Sequence, residues 1–568
     1  MRKTHLKLII WILLAILATA GFWASVSGIA NLLAYFQRGA EPASALNIVP
    51  NVPPDLHVAL SWDADGADIG RPIEAFTRSQ VEATYLRAWL QWNLSYMKGE
   101  PHGLTTYFTG PARSEISAAV RRATADGLRI AQTNTAHRLQ LHFYSADGTV
   151  VAFTDHDVPI AQVIRAQSGT ILSAGATRAD YDVVMLLEDG EWRIRHLVRR
   201  AATPPPVLQV PPCPTCVTAN GTGLELEGVP FYVMGINYYP QATPWDTFWP
   251  QYSPAVIDRD LSRIKGLGLN TIRIFIPYEQ FGGPRVDLVM LDRLGDLLDR
   301  AQAQDVKVIV TLFDFRADYG LLQWASADRH LEAILPRFAT HPAILMWDLK
   351  NEPDLDDKVS GAPIVDAWLA HTVTLVRRLA PHHLVTIGWS NPMAARRLAD
   401  QVDIVQFHYY APVVEFAPAY AALRTEVPDR PVLLGEFGLP TWNSVFPHGH
   451  TEAEQAVYYA DLLTAMREVD AVGTLAWTLY DFTHVPATVA GRWPWQTGPQ
   501  AHMGVIRADG REKPAAALLA PGAVLDVPPV PGWARWLKPF WLLVAGGIIA
   551  VTAAAVWFTR VHAKALRR

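Results

Sequence analysis

Ile344-Leu345-Met346-Trp347-Asp348-Leu349-Lys350-Asn351-Glu352-Pro353 begins as a buried hydrophobic run and ends on a carboxylate. A second run of the same kind, Val432-Leu433-Leu434-Gly435-Glu436-Phe437-Gly438, again ends on a glutamate. A carboxylate directly after a buried strand sits where a parallel barrel opens its active site, at the carboxyl ends of its strands. The two glutamates lie 436 − 352 = 84 residues apart, room for about three strand-helix units of roughly 30 residues. Paired carboxylates are what cleavage of an acetal between sugars requires: one protonates the leaving oxygen and the other meets the developing oxocarbenium ion from the opposite face.

Outward from these two runs, strand-helix alternation continues around a full circle. Strands are expected at Phe231 to Asn237, Thr271 to Ile276, Lys307 to Phe313, Ile344 to Lys350, Leu384 to Gly388, Ile404 to His408, Val432 to Glu436 and Gly473 to Thr478, each rich in aliphatic residues as buried parallel strands are. Amphipathic stretches at Ile257 to Leu267, Leu288 to Gln304, Val365 to Leu379 and Glu452 to Val469 supply outer helices. The fold class is α/β, a (β/α)8 TIM barrel over residues 217–520.

With these motifs in barrel order, residues 217–520 resemble the clan A glycoside hydrolases, family 5 most closely. The resemblance implies that Glu352, preceded by Asn351, is the acid/base and that Glu436 is the nucleophile. It also implies roles for other strand-end residues. Arg273 matches an arginine that bonds the nucleophile, and Asn351 is placed to bond the sugar 2-hydroxyl. His408 and Tyr410 match a His-x-Tyr whose tyrosine donates to the nucleophile, and Trp477 matches the floor of the sugar subsite. Phe313-Asp314-Phe315-Arg316 departs from the family, which usually has a histidine there; Asp314 is a candidate to take over a polar contact.

Taken singly, an Arg, His or Trp near a strand end is most often an ion pair or core filler. The weight comes from their joint order. Among loop aromatics, Trp493 and Trp495 are the leading candidates for sugar stacking, since a ring offers an apolar plate to axial C–H groups. The implied reaction is a double displacement with retention, with the carboxylates about 5–5.5 Å apart. Arg273 and Tyr410 are expected to keep Glu436 charged, and that charge to keep a proton on Glu352. The expected substrate is a β-linked polysaccharide or oligosaccharide, a glucan or mannan by resemblance. A transglycosylase using the same glutamates and a non-catalytic polysaccharide-binding envelope protein are the alternatives. No cofactor or metal is expected.

Composition limits the remainder. At 568 residues and 50% hydrophobic, the chain exceeds what one core usually serves and should divide. A net charge of -5 with no basic stripe argues against a nucleic-acid partner. Residues 55–200 run helix, helix, then strands, with Glu188-Asp189-Gly190-Glu191 as a hairpin turn, the order of an α+β domain. This domain resembles the cone-shaped nuclear-transport-factor-2-like (NTF2-like) fold. It reads as a spacer or as a docking module for a protein partner, with Asp155-His156-Asp157 in a turn. Residues 201–216 are a proline-rich linker holding Cys213 and Cys216, the only cysteines. A local disulfide and free thiols are both open readings, the disulfide favoured outside the cytoplasm.

Both ends carry membrane signals. Residues 1–36 place Arg2, Lys3 and Lys7 before an apolar stretch and read as a signal anchor. A signal peptide cleaved near Ala18-Thr19-Ala20 is the competing reading. Residues 538–559 read as a transmembrane helix followed by Arg560, Lys564, Arg567 and Arg568. The positive-inside rule then leaves both termini cytoplasmic, the protein embedded in the cell membrane at both ends, and the catalytic domain on the extracytoplasmic side.

Overall fold

The computed structural model describes residues 56–66, 69–203, 209–442 and 449–565. The expected N-terminal anchor over 1–36 lies outside the described residues.

The first domain opens with β1 (Ala59–Trp62), a strand the sequence reading omits, followed by α1 (Ala75–Lys98) and α2 (Gly110–Ala125). Gly99, at φ 73°, stops α1: its N–H donates to the Ser95 and Tyr96 carbonyls in the left-handed conformation glycine favours. Then come β2 (Leu128–Asn134), β3 (Ala136–Tyr144), β4 (Val150–Ala166), β5 (Ile171–Glu188) and β6 (Glu191–Ala201). They form a six-stranded sheet in the order β1-β3-β4-β5-β6, with β2 paired to β4. The β5–β6 turn falls where expected. Asp189 and Gly190 both take positive φ, as a tight hairpin between right-twisted strands requires.

The expected turn at Asp155-His156-Asp157 is overturned. These residues lie inside β4, whose register against β5 slips between Asp155 and Val158, and Asp157 takes φ 55°. The site is a β-bulge, which bends a long strand without ending it. Its carboxylates have partners that make the polar run tenable in a sheet. Asp155 accepts from the Tyr85 hydroxyl at 2.8 Å and the Arg138 N–H at 3.0 Å, and Asp157 is forked to Arg178. The chain reverses instead at 167–170, between β4 and β5.

Cys213 and Cys216 form a disulfide, and a small sheet follows: β7 (Thr218–Asn220), β8 (Gly223–Leu226) and β9 (Val229–Pro230). Eight parallel strands then close a barrel: β10 (Val233–Asn237), β11 (Thr271–Pro277), β12 (Lys307–Asp314), β13 (Ile344–Asn351), β14 (Leu384–Trp389), β15 (Val405–Tyr409), β16 (Val432–Phe437) and β17 (Gly473–Ala476). Outer helices are α3 (Pro254–Gly266), α4 (Leu288–Ala303), α5 (Trp324–Phe338), α6 (Ala362–Leu379), α7 (Phe416–Glu426) and α8 (Glu452–Arg467). Thr451 and Glu454 form a reciprocal capping box at the start of α8.

Inside the barrel, Val233, Ile309, Met346, Leu384, Leu433 and Leu475 form one cluster with Val217 and Leu224, so the β7–β9 sheet seals the amino-terminal end of the strands. The larger core lies between strands and helices, and it includes Ala161 and Val163 of β4, which joins the first domain to the barrel. After the short α9 (Pro494–Ala501), the chain ends in α10 (Pro539–Ala565). Residues Pro539–Trp557 of α10 are 19 residues with mean hydropathy 2.1 and none of that stretch buried, long and apolar enough to cross a membrane.

Candidate active site

Asn351, Glu352, His408, Tyr410, Glu436 and Trp477 lie at or just after the carboxyl ends of barrel strands, and Arg273 lies within β11. Arg273, fully buried on β11, is the centre of the arrangement. Its guanidinium pairs with Asp348 at 2.6 Å and with Glu436. It also donates to the Asn237 side chain at 3.1 Å and to the Asn351 side chain at 2.9 Å. Asp348 is itself satisfied by the Thr311 hydroxyl at 2.8 Å and the Gly388 N–H at 2.9 Å. A buried arginine facing two carboxylates is tolerable because every charge has a partner. Gly388 leaves room for the guanidinium: a Cβ there would lie 2.8 Å from Arg273 Nη2, so one of the two would have to move.

The second oxygen of Glu436 accepts from the Tyr410 hydroxyl at 2.9 Å. Glu436 thus has a donor on each oxygen, a guanidinium and a phenol. Burial and the Glu436 charge push the Tyr410 hydroxyl well above its ordinary pKa, so it remains a donor.

Glu352 follows β13 in a left-handed conformation, φ 46°, with its N–H donating to the Gly388 carbonyl. Such a backbone costs about 1–3 kcal/mol for a residue with a side chain and persists where surrounding structure imposes it. Its carboxylate meets His408 Nδ1 at 2.8 Å, and the same nitrogen lies 3.5 Å from Glu436. One oxygen of Glu352, one of Glu436 and a His408 ring nitrogen all fall within 4.8 Å of one another. A cation would need lone pairs there, but both Glu436 oxygens already accept hydrogen bonds from Arg273 and Tyr410.

The expectation that Glu352 holds a raised pKa needs correcting. Burial pushes its carboxyl up, but the His408 hydrogen bond and charge, with Arg273 and Lys350, outweigh that and hold it below the ordinary value. A cationic neighbourhood, absent from a reading built on Glu436 alone, decides the sign.

A cleft of about 390 Å³ opens over these groups, walled by Tyr239, Phe275, Asn351, Trp477 and Met503 among others. Trp477 meets Phe275 and Tyr239 edge-on, at 5.8 and 6.4 Å between ring centroids. Asp314 lines the same cleft. Burial pushes its carboxyl up to about 6 despite Lys350 and Arg273, and the Tyr239 hydroxyl approaches it at 3.4 Å. Trp493 and Trp495 do not wall the cleft. They stack on each other, 5.1 Å apart and 5° from parallel, and stay 58% and 53% exposed. Reading the sequence missed Asn237 and Asp348. The available signal was a polar residue inside a hydrophobic strand, as Asp348 is between Trp347 and Leu349.

Residues 224–483 match the model of the family described as Cellulase (glycosyl hydrolase family 5). The chain is 25% identical to the probable mannan endo-1,4-beta-mannosidase C of Aspergillus terreus (strain NIH 2624 / FGSC A1156), over 30% of this chain and 54% of that protein. It is 22% identical to mannan endo-1,4-beta-mannosidase 1 of Oryza sativa subsp. japonica, over 46% of this chain and 78% of that one. Among solved structures, it is similar to the exo-beta-1,4-mannosidase Op5Man5 from Opitutaceae bacterium strain TAV5, with TM-score 0.42 and 22% identity over 51% of this chain and 59% of that one. The chain spans about half the length of the Aspergillus relative.

Proposed function

With residues 224–483 being a glycosyl hydrolase family 5 domain, we propose that the chain is a retaining β-glycosidase whose substrate is a β-linked polysaccharide or oligosaccharide, a β-mannan first. The observation that carries this reading is the unequal treatment of two neighbouring carboxylates. Glu436 has both oxygens tied by Arg273 and Tyr410, while Glu352 is partly exposed to the cleft and paired with a histidine. One is an anion held for attack; the other is placed for proton exchange. The oxygen separation within 4.8 Å supports retention, since inversion needs room for a water between carboxyls about 6.5–9.5 Å apart.

In the first step Glu436 attacks the anomeric carbon as the glycosidic oxygen takes a proton, leaving a glycosyl ester and a free alcohol. Glu352, hydrogen-bonded to His408 and open to the cleft, is the group placed to hand over that proton. In the second step Glu352 takes a proton from water, which attacks the ester and restores Glu436. Asn351 stands beside both groups, where a sugar 2-hydroxyl comes, and Trp477 supplies an apolar floor.

The same reading makes α10 a membrane span, supported by its 19-residue apolar stretch with none of it buried and by the basic residues after it. The barrel is then extracytoplasmic, which suits the Cys213–Cys216 disulfide. The first domain reads as NTF2-like, a long helix against a bent sheet, and as a spacer or protein-docking module beside the barrel.

The deciding experiment is hydrolysis of β-mannan oligosaccharides followed by NMR of the first product. The β-anomer is expected. Glu436→Ala should lower turnover by about 10⁴-fold or more. An α-anomer first product, or turnover that survives the substitution, removes the assignment.

A further inference from the structure

The start of α10 is pinned to the catalytic face. Lys538, one residue before the helix and 8% exposed, donates from its ammonium to the Gly449 carbonyl and pairs with Glu454 at 3.3 Å. Gly449 lies in the connection between β16 and α8 and Glu454 in the first turn of α8, on the side where β16 delivers Glu436. The helix that is apolar enough for a bilayer therefore leaves from the mouth of the barrel.

The connections after β13, β14, β15 and β17 on that face expose large apolar side chains. Leu355 and Val359 follow β13, Met393 follows β14, Val414 follows β15, and Trp493 and Trp495 follow β17, all between 53% and 89% exposed. Adjacency of β13, β14, β15, β16 and β17 in the closed sheet makes these loops neighbours, with the Lys538 contact within the arc they form. The β16 connection also supports the tryptophan pair from below. Thr441 N–H donates to the His502 carbonyl at 2.9 Å, and Trp442 packs so closely on α9 that a Cβ on Gly498 would lie 2.5 Å from its ring.

We propose that this arc docks on the lipid headgroup layer of the bilayer that α10 enters, so that the cleft works on glycans displayed at the membrane surface. The proposal rests on the membrane reading of α10 given above. Large apolar side chains grouped on one face mark a contact surface, and tryptophan favours the bilayer interface, where its ring is half apolar and its N–H stays wet. The occupant follows from continuity: the arc borders the point where the span begins. A glycan on a lipid anchor in the same leaflet is then delivered at high effective concentration, whereas a free glycan is not.

The test uses the full chain in nanodiscs of phosphatidylcholine and phosphatidylglycerol carrying a headgroup diazirine lipid. Photolysis should label peptides containing Val359, Val414 and Trp493–Trp495; labelling confined to residues after Val530 overturns the proposal. In the same discs, kcat/KM for a mannooligosaccharide on a lipid anchor should exceed that for the free oligosaccharide by about tenfold or more. The triple variant V359E/V414E/W495E changes only exposed positions and should abolish that advantage while keeping the free-substrate value. If the variant instead raises KM for free oligosaccharide and leaves labelling unchanged, the arc is a sugar platform and the proposal fails. Failure to cleave either substrate sinks the glycosidase reading, and the labelling pattern still decides the docking. A chain that stays out of the discs overturns the membrane reading and the docking together.

Discussion

Asp314 stands where the family resemblance led one to expect a histidine, and its cost can be measured. Its carboxyl takes up a proton at about 6 in the fold against 3.8 ordinarily, because burial disfavours the charged form. Between those values the folded chain binds more protons than the unfolded one, so stability falls as pH rises through this window and the penalty is complete above it. Asp314→Asn carries no charge at any pH. It should raise thermal stability at pH 7.5 by up to about 3 kcal/mol and leave it unchanged at pH 4, as followed by calorimetry. An equal effect at both pH values would mean that packing, not charge, sets the difference. Residue-level reading of the sequence singled out Glu352, Glu436 and Tyr410 because each ends or follows a hydrophobic run, and Arg273 through the family resemblance. It passed over Asp348 and Asn237, whose partner is a guanidinium on another strand that local sequence does not reveal.

At the scale of elements, all eight barrel strands stand within about two residues of their expected bounds, because a strand buried on both faces is written as a continuous apolar run. β4 and β5 were harder. Asp155, His156 and Asp157 look like a turn when local chemistry alone is weighed, and only their partners on α1, β3 and β5 keep them in a strand. Helices α5 and α7 escaped the reading altogether. Strand-level precision also sets what the site tolerates. Gly388→Ala would drive a methyl against the Arg273 guanidinium, which reaches it across the barrel from β11. Since a shift of about 1 Å in a positioned group can cost roughly 10²-fold, kcat/KM should fall by about that factor with far-UV circular dichroism unchanged. A variant with ordinary kinetics would show that the arginine has slack.

Across the whole molecule, the first domain and the barrel share a core through Ala161 and Val163. Val163→Asp puts an unpaired charge into that seam, and the barrel's melting temperature should fall with it, by several degrees. Two calorimetric transitions, with the barrel's unmoved, would mean that the domains fold as strangers. Ending the chain at Val530 removes α10 and should release an enzyme from membranes that retains its kcat/KM on free oligosaccharide, a prediction that sedimentation and a reducing-sugar assay check directly.

Among the described residues, the β7–β9 sheet stoppers the barrel from beneath, so arrivals and departures use a single doorway. While a spent alcohol lingers there, water must queue behind it to reach the esterified glutamate. Another sugar hydroxyl entering that vacancy first would accept the glycosyl group in its place. Crowding the doorway with acceptor should therefore divert part of the traffic from cleavage into chain building.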